Sequence, residues 1–247
     1  MSKPIALQLY SLRELAAKDF AGVLKTVSKI GYAGVEFAGL HGMSATDVKK
    51  VIDSEGLVAC SAHTPMFEKE KWNQIEDDAR TLGYTRLVGM LFRPDFESAD
   101  KIKICADKVN EVIAHFEPKG FSVHYHNHDW EFDAPGKDAS FYGLCPKANL
   151  EIDIYWVQVA GQNPAEVVRR YANRTELLHI KDGPCDRKLA MTAVGKGKVD
   201  VAAAIHAAEA GKLAWNIVEL DRCDTDMVEA VRESHAFLTS RGLATGK

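Results

Sequence analysis

The feature that most constrains this chain is an alternation sustained from end to end, in which short apolar, β-rich runs are separated by longer amphipathic stretches. The runs are Ile5–Tyr10, Gly34–Ala38, Leu57–Ala62, Arg86–Met90, Phe121–His126, Leu150–Ile154, Leu177–Lys181 and Trp215–Leu220. Between and after them, apolar residues recur at helical spacing over Phe20–Ile30, Ala45–Ser54, Trp72–Leu82, Asp100–Phe116, Pro164–Ala172, Val201–Ala210 and Met227–Thr239. Strands that alternate with helices pair in parallel through right-handed crossovers. Eight such units in 247 residues match the ~250 residues over which a ring of eight β/α units closes. The spacing therefore predicts one domain, a (β/α)8 barrel over residues 1–247.

Glycine punctuates the pattern. Gly31, Gly83, Gly120 and Gly211 each follow a helical stretch and precede a strand, the place where a left-handed residue ends a helix. Four such stops spread along the chain favour one repeating ring over two domains. An open doubly wound sheet is the competing architecture, and its nucleotide-binding form carries GxGxxG after the first strand. Here that strand runs into Gln8-Leu9-Tyr10-Ser11-Leu12-Arg13, without a glycine loop. Leu243–Lys247 reads as a loose tail.

Composition narrows the functional classes. A net charge of −4 gives no support for a basic face that would grip nucleic acid. The five cysteines form no CxxC pair, so they read as thiols in a reducing compartment rather than as a disulfide framework. The sequence has neither a signal-peptide core nor an apolar run of about 18 residues, so we expect a soluble cytoplasmic protein with no membrane partner.

In such a barrel the chemistry gathers at the C-terminal strand ends. Six of the strands end in polar residues, five of them as Val35-Glu36-Phe37, Ser61-Ala62-His63, Leu150-Glu151-Ile152-Asp153, Leu178-His179-Ile180-Lys181 and Val218-Glu219-Leu220-Asp221. The fifth strand and its exit read His124-Tyr125-His126-Asn127-His128-Asp129-Trp130-Glu131. Asp153, His179 and Glu219 are each bracketed by apolar residues, so each points into the core or the ring. An unpaired carboxylate there is costly and calls for a cation or a hydrogen-bond network. Carboxylates with imidazole suit one divalent ion: Mn, Co, Zn, Mg or Fe(II). An arginine or lysine counter-charge is the competing explanation for Asp153 and Glu219, and plain core packing the one for His179. His124 reads as a deeper packed residue. Trp130 and Trp156 flank the predicted site and could stack on a sugar face. Gly195-Lys196-Gly197-Lys198 has the look of a phosphate cradle without the Walker spacing, and a solvated loop is the preferred reading.

Taken together, these segments resemble the xylose isomerase-like TIM-barrel superfamily, the sugar phosphate isomerase/epimerase proteins. The likeness spans nearly the whole chain and includes Gly34-Val35-Glu36-Phe37, His63-Thr64-Pro65, His126-Asn127-His128-Asp129-Trp130-Glu131-Phe132, Asp153-Ile154-Tyr155-Trp156 and His179-Ile180-Lys181-Asp182. The resemblance implies a metal held by Glu, Asp, His and Glu from strands five to eight. Asp153, His179 and Glu219 match that set. The first glutamate does not, and either Glu131 reaches back or His126 replaces it; Glu131 is the expectation carried forward.

The resemblance also implies an isomerase or epimerase that abstracts a proton beside the carbonyl of a ketose or keto-sugar. Glu219 would be one acid/base, and Glu131 or His126 its counterpart. His63, His128, Lys181 and Trp156 would contact a small carbohydrate substrate. Two rival readings share this site: a dehydratase or lyase expelling a β-leaving group from a keto-sugar, keto-inositol or 3-oxo-glycoside, and a non-catalytic sugar-binding barrel. A DNA-cutting relative of this barrel needs more metal ligands and a basic face than the sequence offers. Assembly into a homo-oligomer is compatible with the sequence.

Overall fold

A computed structural model describes residues 2–134 and 136–247. Its strands are β1 (Lys3–Gln8), β2 (Gly34–Ala38), β3 (Val58–His63), β4 (Arg86–Gly89), β5 (Ser122–His126), β6 (Asn149–Asp153), β7 (Thr175–Ile180), β8 (Trp215–Val218) and β9 (Ala244–Thr245). β1 to β8 pair in parallel in chain order, and β1 pairs with both β2 and β8, which closes the ring. All eight expected strands are present, the second with its expected limits and the others with ends displaced by at most two residues. The helices at Phe20–Ile30, Ala45–Ser54 and Trp72–Leu82 have the expected limits, and the others differ by a residue at one end. Among the described residues no helix is long and apolar enough to cross a membrane.

The helices pack their apolar stripes on the outside of the ring. Leu24 and Val27 of one helix and Val109, Val112 and Phe116 of another are wholly or almost wholly buried. Each large side chain so buried contributes about 1.5–3 kcal/mol relative to leaving it in water. Three of the expected glycine stops adopt positive φ: Gly31 at 111°, Gly83 at 84° and Gly120 at 87°. Gly211 serves differently. A side chain there would collide with the carbonyl of Ala172, so glycine is needed for close approach rather than for a left-handed turn.

The expected loose tail is instead a strand. Ala244 and Thr245 pair with Lys3 and Pro4, and the Lys247 N–H donates to Gly31 O at 2.8 Å.

Inside the ring, alternate residues step from apolar to polar along three of the strands. Ala6, Cys60, Val88, Leu177 and Ile217 form an apolar layer. Two residues further along β1, β7 and β8 come Gln8, His179 and Glu219. His124 lies deep as expected, with Nε2 3.2 Å from Glu176 Oε2. The pleat thus delivers a packed floor and a polar ceiling at the C-terminal rim.

Candidate metal centre

Four neighbouring strands deliver one donor each. His126 ends β5, Asp153 ends β6, His179 lies on β7, and Glu219 follows β8. The four are between 0% and 5% exposed, and their donor atoms lie within 4.8 Å of one another. His126 Nε2 is 3.9 Å from Asp153 Oδ2, and His179 Nδ1 is 3.0 Å from Glu219 Oε2. Register explains the convergence, because Asp153 lies directly beside His179.

Asp153 is divided between two tasks. Its Oδ1 accepts the N–H groups of Tyr155 and Trp156, each at 3.0 Å, and so caps the helix Ile154–Val159. Asn127 clamps the same backbone, accepting the Asp153 N–H and donating to its carbonyl. Oδ2 is left facing the ring. Asp153 Oδ2, Glu219 Oε2 and His179 Nδ1 are buried without an aligned hydrogen-bond partner. The Lys181 ammonium faces the two carboxylates, 3.1 Å from Asp153 Oδ2 and 2.7 Å from Glu219 Oε2, while its aligned hydrogen bond goes to Asp221 at 2.8 Å. The expected competitor, a lysine counter-charge, is therefore present in the same place. It does not account for the two imidazoles, which bring nitrogen donors to one point beside two carboxylates. Orphaned buried donors of mixed nitrogen and oxygen type fit a divalent ion.

The electrostatics follow from this crowding. Burial raises Asp153 to about 6, against the pull of Lys181 and His179. Burial also opposes ionisation of Glu219, but Lys181 and His179 outweigh it and hold that carboxyl well below its usual range. Burial, with His179 and His63 nearby, holds His126 well below the usual imidazole range. Burial and the Lys181 charge lower His128 to about 3. Lys181 is pushed well up, because its carboxylate neighbours Asp153, Asp221 and Glu219 overcome the cost of burial.

Above the four donors opens a cavity of about 380 Å³ lined by Gln8, Tyr10, Ala38, His63, Met90, His126, His128, Lys181, Glu219 and Asp221. The expected contacts His63, His128 and Lys181 all line it. Trp156 does not. It stands behind, with its ring 5.8 Å from the Lys181 ammonium and 5.8 Å from the His128 ring. Trp130 stacks on His128, with ring centres 4.2 Å apart and planes 7° apart.

Glu131 is not brought to the metal group. It is fully buried, and its two oxygens accept from the Tyr125 hydroxyl at 2.7 Å and from the His128 N–H at 2.9 Å. The chain turns sharply after β5, which folds Glu131 back behind the strand while His126 points into the ring. Asp129 pairs with Arg93 and Arg187 at the rim instead of orienting a histidine. The supposed phosphate cradle is occupied from within. Asp182 Oδ1 accepts the N–H groups of Gly183 and Val199, and Oδ2 those of Gly195 and Gly197.

Two further strand-end carboxylates, outside the expected ligand set, also lie buried at the site. Glu151 shares the inward face of β6 with Asp153, and Glu36 ends the polar face of β2; both are 0% exposed beside the histidines. The alternation Glu151-Ile152-Asp153 was the signal that could have placed Glu151.

A family model described as xylose isomerase-like TIM barrel matches residues 24–241. A sugar phosphate isomerase/epimerase from Parabacteroides distasonis superposes with a TM-score of 0.79 at 25% identity, covering 99% of this chain and 96% of that one. The probable 3-DHS dehydratase AsbF from Bacillus anthracis gives 0.78 at 13% identity, covering 98% and 100%. The 3-keto-D-glucoside 4-epimerase YcjR from E. coli gives 0.74 at 16% identity, covering 97% and 100%. No curated protein sequence matches the chain significantly.

Proposed function

Because the chain belongs to the xylose isomerase-like TIM barrel family, we propose that it is a divalent-metal-dependent isomerase or epimerase that moves a proton beside the carbonyl of a ketose or keto-sugar. The observation that carries this reading is the meeting of His126, Asp153, His179 and Glu219, from four consecutive strands, beneath an open cavity. These four would hold the ion, with His126 in the position expected of Glu131. Two imidazoles among four donors favour Zn, Fe, Co or Mn over Mg. Bound there, the ion would polarise the carbonyl and hydroxyl oxygens of the sugar and acidify the neighbouring C–H.

The chain's own groups divide the remaining work. Glu219 lines the cavity and is held ionised, so it is the group that takes the proton from carbon. Lys181 donates to the oxygen that gains negative charge. His63 and His128 line the same cavity and can return a proton or hold a hydroxyl. Gln8 and Tyr10 close one side with further polar groups.

A second reading, elimination of a β-leaving group, draws on one specific observation. With Glu131 withdrawn, Glu219 is the one carboxylate of the four-donor group that lines the cavity, whereas exchange between two faces of a ketose uses two. The opening step is the same in both readings.

The test is solvent deuterium exchange at the carbon beside the carbonyl, followed by NMR on free ketoses and on 3-oxo-glucosides. Metal-loaded protein should exchange. Chelator-treated protein should not, and Glu219→Gln should lose at least about 100-fold, the usual value of a general base. Epimer formation supports the first reading, and release of the leaving group the second. Sugar binding without exchange would leave only a binding protein. Absence of metal, binding and exchange would sink all three.

A further inference from the structure

Two buried carboxylates take no part in the chemistry above. Glu36 and Glu151 are both 0% exposed, and carboxylates held so deep are expensive unless donors surround them. Donors meet both oxygens of Glu36 and one oxygen of Glu151. Glu36 Oε1 accepts from the Gln8 amide at 2.8 Å, and Oε2 from the Ser61 hydroxyl at 2.6 Å. Those two bonds fix the plane of the carboxylate, because each oxygen is anchored by a different strand. The remaining position at Oε1 is filled by His179 Nε2 at 2.7 Å. Glu151 Oε2 faces His126 Nδ1 at 2.9 Å and His63 Nε2 at 2.8 Å.

An ionised carboxylate only accepts, so a ring nitrogen aligned in a hydrogen bond to one carries the hydrogen. The opposite nitrogen of each ring then points away from the carboxylate. For His179 that is Nδ1, 3.0 Å from Glu219 Oε2 but not aligned with it for a hydrogen bond; for His126 it is Nε2, 3.9 Å from Asp153 Oδ2. These are the two nitrogens that look into the four-donor group.

We infer that Glu36 and Glu151 are positioning residues that lock His179 and His126 into opposite tautomers, so that one ligates the ion through Nδ1 and the other through Nε2. The inference rests on the metal site proposed above. Gln8 and Ser61 act one step further back, by holding Glu36 in place. Partners of this outer kind typically govern about 10–100-fold in metal affinity.

The experiment uses the whole protein labelled with 15N-histidine and loaded with one equivalent of Zn(II). Long-range 1H–15N correlation reads which nitrogen of each ring carries hydrogen. His179 should appear with hydrogen on Nε2 and zinc on Nδ1, and His126 with hydrogen on Nδ1 and zinc on Nε2. Zinc affinity, measured against a competing chelator, should fall about 10–100-fold in Glu36→Gln and in Glu151→Gln. Glu151→Leu, which accepts no hydrogen bond, should lose more than Glu151→Gln. Far-ultraviolet circular dichroism and unfolding of the metal-free variants confirm that the comparison is between folded proteins. A structural role alone would leave the tautomers and the graded affinity unchanged, and that result overturns the inference. So does zinc on Nε2 of His179, which would put the ion among His63, His126, Glu151 and His179 while sparing the idea of a metal enzyme. Absence of zinc uptake by the wild type would overturn both readings together.

Discussion

Glu131 shows how much one residue depends on the turn it sits in. It is the first acidic group after Asp129 beyond β5, and its two oxygens are used by Tyr125 and by the backbone of His128. Burial raises its acid group from 4.5 to about 8, against the pull of those two bonds. A carboxyl whose pKa is higher in the folded than in the unfolded chain stays protonated while the unfolded chain ionises. Stability is therefore greatest below pH 4.5 for this group and declines as pH climbs towards about 8. Its share of the slope reaches at most about 1.4 kcal/mol per pH unit. Glu131→Gln imitates the protonated form and should flatten this decline, as urea titrations across the range would report. An unchanged slope would place the charge on Glu131 already at low pH. Asp153, His179 and Glu219 were legible in the sequence because strand alternation and apolar neighbours fix the direction of a side chain. Glu131 was not, because beyond the last ladder bond no period says where the chain turns.

At the scale of elements, the ring was legible and the loops were not. Strands read from apolar runs and helices read from their stripes both describe burial, and burial is what the architecture demands of them. The loop Gly195–Lys198 answers to a different force. Four backbone N–H groups converge on one buried aspartate, Asp182, and nothing in the local spelling of Gly195-Lys196-Gly197-Lys198 reveals a partner that lies thirteen or more residues back. Glycine at 197 is part of that convergence, since a methyl group there would collide with Asp182 and with the Gly183 nitrogen. Gly197→Ala should cost about 1–3 kcal/mol by overpacking. The loss should appear in denaturant midpoints with the slope unchanged. Wild-type stability in that variant would mean that the loop can pull away from Asp182. The same crowding argues against a phosphate cradle in the backbone of the Gly-Lys-Gly-Lys run, because Gly195 and Gly197 already give their donors to Asp182.

For the molecule as a whole, the proposed ion joins strands that are neighbours around half of the ring, β5 to β8. An ion that binds the folded state and not the unfolded chain stabilises by mass action, about 2.7 kcal/mol at a concentration one hundred times its dissociation constant. In a chain of this size that corresponds to a rise of roughly 5–10 °C in the unfolding midpoint. Calorimetry with chelator and then with added Zn(II) or Mn(II) should show that rise in the wild type and lose most of it in Asp153→Ala and His179→Ala. Equal midpoints in wild type, with and without ion, would count against the site.

The last strand carries a different consequence. Lys3 and Ala244 are side by side in register at the foot of the ring. A bridge of a few residues could link them, and the chain could then be opened in any exposed turn without changing which strand neighbours which. The seam between first strand and last is thus an accident of where reading starts: to the folded ring every β/α unit has a predecessor and a successor, and the wheel has no spoke that must come first.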